Sequence, residues 1–88
     1  MYIVNKNRTQ IFNMEHVTKM FVSLDAYIKA NLINEMDCCV ARYDSFEEAA
    51  LALELLAMSI GKTEVFFFPQ DERIQKILKE KGNVESRV

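Results

Sequence analysis

Asp44-Ser45-Phe46-Glu47-Glu48-Ala49-Ala50-Leu51-Ala52-Leu53-Glu54-Leu55-Leu56-Ala57-Met58-Ser59-Ile60-Gly61 is where the hydrophobic period of the chain changes. Ser45 and Glu48 form an S-x-x-E capping box, whose side chains satisfy amide donors that a helix start leaves orphaned. Phe46, Ala49, Ala50, Leu53, Ala57 and Ile60 then recur at helical spacing, a stripe that predicts the core-facing side. Gly61 is placed as the C-terminal stop. The reading is one long helix over 45–60.

Before that helix the period is two. Tyr2 to Asn5 predicts a short strand, and Asn5-Lys6-Asn7-Arg8 carries the residues to reverse it into a second strand over 10–13. From Val17 to Leu24, Thr18, Met20, Val22 and Leu24 share one face and Lys19, Phe21 and Ser23 the other. Ile28, Ala30 and Leu32 repeat the apolar face, with Lys29 and Asn31 opposite and Asp25 as the turn between. Asn34-Glu35-Met36-Asp37 connects to a strand over 38–43. Residues 2–43 therefore read as an antiparallel meander.

After the helix, Glu64 to Phe68 is β-favouring and Pro69 closes it. Asp71 can cap a short second helix with Ile74, Ile77 and Leu78 on one face, ended by Gly82. The expected architecture is a single α+β domain over 1–82. It has an antiparallel β-meander of five to six strands, the long helix on one face, a short C-terminal helix and a disordered tail over 83–88.

Composition narrows the function classes. The 88 residues are 50% apolar and 27% charged, with 2 Gly and 1 Pro, which excludes a collagenous or low-complexity chain. The formal charge of −2 argues against a dedicated nucleic-acid binder. No secretory leader is expected, because Tyr2-Ile3-Val4 is broken at once by Asn5-Lys6-Asn7-Arg8. The most apolar stretch, 49–60, contains Glu54 and falls short of the roughly 20 residues that span a bilayer. A cytoplasmic protein with reduced Cys38 and Cys39 is the expectation, and the Asn7-Arg8-Thr9 sequon is then accidental.

The pattern offers no site for chemistry. Cys38 and Cys39 are adjacent, so they neither bridge readily nor make a zinc pair, and nothing places His16, the one histidine, beside them as a base. Glu35, Asp37 and Asp44 read as turn and pre-cap residues. Both glycines end helices, leaving none to cradle a phosphate. No catalytic, cofactor-binding or metal-binding residue is expected, and no enzyme.

Two features invite an interaction reading. Opposite its main stripe the 45–60 helix carries Leu51, Leu55 and Met58. Either the second helix or the strand over 64–68 covers them, or they form a self-association surface, expected as a symmetric dimer. An unidentified protein partner is the other possible occupant. Phe66-Phe67-Phe68 places rings on both faces of one strand, but its flanks are Glu64, Asp71 and Glu72. A buried strand explains that run better than a nucleic-acid stacking platform.

The order of signals resembles a group of small proteins of low-GC Gram-positive bacteria, their phages and mobile elements, with no assigned activity. The resemblance rests on Tyr2-Ile3-Val4-Asn5-Lys6-Asn7-Arg8-Thr9, on Ile11-Phe12-Asn13-Met14-Glu15-His16-Val17-Thr18 and on Tyr43-Asp44-Ser45-Phe46-Glu47-Glu48-Ala49. It spans about residues 2–60, and the chain departs from it in having no Gly over 34–37 and in adding the helix over 70–82. It implies a fold and a setting only. The expected function is a small cytoplasmic interaction module that self-associates, with a regulator contacting nucleic acid or a nucleic-acid-bound protein as the alternative.

Overall fold

A buried side chain holds the first turn of the molecule. In the computed structural model, which describes residues 1–85, β1 (Tyr2–Val4) runs antiparallel to β2 (Ile11–Asn13). Between them Asn5 accepts the amides of Thr9 and Gln10 at 2.9 and 3.0 Å and donates to Thr9 Oγ1 at 3.1 Å. Arg8 takes a left-handed φ of 60° in this turn. That conformation disfavours an L residue by about 1–2 kcal/mol, which the Asn5 bonds offset.

The expected single meander is two sheets instead. Asn13 accepts the Glu15 amide at 3.0 Å and starts a 3₁₀ turn over Met14–His16. The chain leaves the first sheet there and opens a second, antiparallel one: β3 (Val17–Val22), β4 (Tyr27–Leu32) and β5 (Cys38–Arg42). A bulge between Val17 and Lys19 breaks strict alternation and brings Val17, Met20 and Val22 against the core. Thr18 and Leu24 consequently leave the apolar face expected for them, and Leu24 is 95% exposed in the following turn. Ala26 closes that turn at φ 68°, a left-handed conformation that favours glycine. A second irregularity, opposite Ile28 and Lys29, leaves both Val40 and Ala41 buried. The Val40 carbonyl accepts the Lys6 amide at 2.9 Å and so joins the two sheets.

Helix α1 (Phe46–Ser59) starts with half of the expected capping box: Ser45 Oγ accepts the Glu48 amide at 3.2 Å. The Glu48 carboxylate does not return a bond to the Ser45 amide, and its Oε2 is buried without a partner. The helix ends before Gly61 at φ 81°. Its rotation differs from the reading of the pattern. Ala49, Leu51, Ala52 and Leu56 are buried, with Leu53 and Leu55 half-buried beside them. Ala49 and Leu53 of the expected stripe do reach the core, whereas Phe46, Ala57 and Ile60 face out. Leucine at 51 and 56 removes more apolar area from water than alanine at 50 and 57, so the leucine-rich side turns in. The helix lies against β3 and β4 and against α2.

Strand β6 (Val65–Phe67) returns to the first sheet and pairs in parallel with β1, giving the order β2-β1-β6. Phe66 and Phe68 meet edge to face at 5.2 Å in the core. Phe67 is on the other face of this edge strand and stays half-exposed. Helix α2 (Asp71–Glu85) docks through fully buried Ile74, with Ile77 and Leu78 flanking. Asp71 is its first residue, not its cap, and Lys6 holds its carboxylate. Gly82 lies inside the helix, not at its end; an interior glycine costs only about 1 kcal/mol relative to alanine, too little to stop it. Of the tail expected over 83–88, residues 83–85 are helical and 86–88 lie outside the described residues.

Candidate interaction surfaces

The three residues expected to form a surface on α1 separate. Leu51 is 5% exposed and belongs to the core, Leu55 is half-buried against it, and Met58 is 59% exposed. Leu55 and Met58 line a shallow hollow of about 200 Å³ with Phe66, Phe67, Pro69 and Arg73. The outer side of the helix instead shows exposed Phe46, Ala57 and, at its end, Ile60, with half-buried Ala50 and Leu53 between them and Leu53 also touching the core. Those five positions step by four and three alternately, the spacing of a helix–helix seam. Glu47 and Glu54 border that seam.

The second surface was not singled out in the sequence. β3, β4 and β5 carry Lys19, Lys29 and Arg42 and no acidic residue. All three cations lie on the sheet face turned away from α1, together with Phe21 and Tyr27. Cross-strand register sets Phe21 opposite Lys29 and Tyr27 opposite Arg42. The Lys19 ammonium is 5.2 Å from the Phe21 ring centre; Lys29 and Arg42 lie 5.8 and 5.2 Å from that of Tyr27. The signal was present as the polar half of each alternating strand, where an aromatic and a lysine stand two apart in both β3 and β4.

Beside this face a cleft of about 310 Å³ opens between the first turn and β5, lined by Asn5, Lys6, Asn7, Cys39, Arg42 and Gln70. Lys6 is committed there to holding the fold. Its ammonium donates to Asp71 Oδ1 at 2.5 Å and to the Arg42 carbonyl at 2.6 Å, and it stands 4.1 Å from the Tyr43 ring centre.

Cys38 and Cys39 are both free thiols. Burial pushes each above the ordinary cysteine value, and for Cys38 a Glu35 hydrogen bond and the Glu35 and Asp37 charges add to it. Such thiols are poor nucleophiles near neutral pH. His16 is exposed in the 3₁₀ turn. Asp37 sits in its tight connection at φ 55°, its amide donating to Asn31 Oδ1 at 2.9 Å. Among the described residues no three His, Cys, Asp or Glu side chains converge as a metal site would require, and no helix is long and apolar enough to cross a membrane.

Comparison with family models, with curated proteins and with solved structures finds no match to this chain.

Proposed function

We propose that the protein is a small, non-enzymatic interaction module that pairs with a second copy of itself through the outer side of α1. One observation carries this reading: Phe46, Ala50, Leu53, Ala57 and Ile60 form an apolar seam in which Phe46 is 48% and Ile60 53% exposed, while Ala50 and Leu53 are half-buried and Leu53 also reaches the core. Surface helices normally keep that side polar. Ala50 and Ala57 leave room for a close approach of two helices, while Phe46 and Ile60 supply most of the area to bury. A two-fold pair makes the same patch serve both copies. The acidic border of Glu47 and Glu54 weakens the pairing at low salt, so added salt should tighten it. Two free thiols suit the reducing cytoplasm in which such a module would work.

Light scattering over a concentration series tests this. The expected result is a dimer mass that falls to the monomer on Ala57→Glu, with the circular dichroism spectrum unchanged. A monomer up to the solubility limit, or a dimer indifferent to Ala57→Glu, removes the reading.

A further inference from the structure

The charge of the domain is segregated, which its net value of −2 conceals. The residues of α1 include three glutamates and no cation, whereas β3, β4 and β5 hold three cations and no acid, the acid near them being Asp25 in the β3–β4 turn, whose charge acts on Lys29 and Arg42. The cations of the sheet stand over aromatic rings, and both rings are on the open face. Phe21 faces Lys29 across the strands and Tyr27 lies two residues from Lys29, so the rings are diagonal neighbours. Diagonal neighbours are separated by about 7–8 Å, close enough for consecutive bases of one strand.

We infer that the open face of the β3-β4-β5 sheet binds single-stranded nucleic acid, with bases stacked on Phe21 and Tyr27 and phosphates paired by Lys19, Lys29 and Arg42. Bases in a duplex are stacked on one another and offer a flat sheet no ring face, so the rings select unpaired strands. Each cation now resting on a ring is on a flexible stem and swings to a phosphate as the base arrives. An exposed cation–ring contact is weaker than base stacking, which makes the exchange favourable. The acidic border of α1 on another copy could meet the same cations, but it would leave Phe21 and Tyr27 without a partner. The site uses no residue of the α1 seam, so it stands or falls independently of self-pairing.

Fluorescence anisotropy with a labelled oligothymidylate and an oligouridylate of about a dozen nucleotides tests it, against a duplex of similar length. Binding should prefer the single strands and weaken with salt, the log–log slope being about −2 for three phosphate contacts. Tyr27→Ala should weaken it roughly tenfold or more. Lys29→Gln should reduce the slope by about 0.7. Lys76→Gln, on α2, should leave it unchanged. If Tyr27→Ala does not fold, the double variant Lys19→Gln/Lys29→Gln decides, since it keeps both rings. No binding, unaltered binding by that double variant, or equal binding of duplex overturns the inference. So does an oligomer that Lys29→Glu dissociates and Glu47→Lys restores, because the occupant would then be the acidic helix of another copy.

Discussion

The Tyr43 hydroxyl donates a 2.7 Å hydrogen bond to the Pro69 carbonyl inside the protein. It ties the end of β5 to the start of α2, 26 residues further along the chain. The Lys6 ammonium over the same ring and its pair with Asp71 bring in the first turn, and Gln70 Nε2 closes the junction on the Lys6 carbonyl at 2.9 Å. Three distant segments are therefore fixed at one phenol. Burial holds that phenol neutral well above the ordinary tyrosine range, helped by the nearby charges of Asp71 and Glu48.

Tyr43→Phe removes the donor and leaves the Pro69 carbonyl buried without a partner, so it should cost about 1–3 kcal/mol in urea unfolding at neutral pH. The pH dependence has a definite sign. Tyr43 keeps its proton in the folded state after the unfolded chain has lost it, so stability is full below about pH 10 and falls as pH rises past it. The phenylalanine variant should lack that part of the alkaline loss. Parallel alkaline slopes for the two proteins would remove Tyr43 as the cause.

The first turn should depend on one carbonyl oxygen. Asn5 Oδ1 accepts two backbone amides, so Asn5→Ala is expected to lose about 2–3 kcal/mol. Asn5→Asp keeps the acceptor and should recover most of the loss above the carboxyl pKa. Equal destabilisation by the two variants would place the effect elsewhere.

Two residues read together in the pattern should separate in experiment. Leu51→Ala opens the core and should cost about 2–5 kcal/mol in the monomer. Met58→Ala, at a site 59% exposed, should change monomer stability by no more than about 0.5 kcal/mol. Similar losses for both, measured on a protein held monomeric by Ala57→Glu, would contradict the rotation of α1 described above.

That rotation marks the limit of what the pattern could reveal. The helix was legible because Ser45, Glu48 and Gly61 are local signals whose partners lie within one turn. Its orientation was not, since apolar residues occur on both sides and the choice depends on the volumes that β3 and β4 present. The hairpin turn at Asn5 was legible for the same local reason. The split into two sheets was not: it depends on the free edge of β1, which β6 fills after the whole of α1. Alternation is also blind to bulges, so Thr18 and Leu24 were placed on a face that the irregularity at Val17 gives to other residues. The basic sheet face escaped because Lys19, Lys29 and Arg42 are spread over three strands and become neighbours only through register.

The thiols give a last measurable consequence. Burial raises both above the ordinary cysteine value, and beside Cys38 the Glu35 and Asp37 carboxylates disfavour the thiolate further. Iodoacetamide reacts with the thiolate, so at neutral pH the native protein should label more slowly than free cysteine, with the rate climbing as pH rises beyond about 8.5. Unfolding in urea should abolish the protection at both sites. Glu35→Ala removes both the charge and the acceptor beside Cys38, and should speed labelling there while leaving Cys39 unchanged. Peptide mapping of the alkylated protein assigns the two rates. A native thiol that outpaces free cysteine would mean an activating cation or base at β5, and the non-enzymatic reading would have to be abandoned.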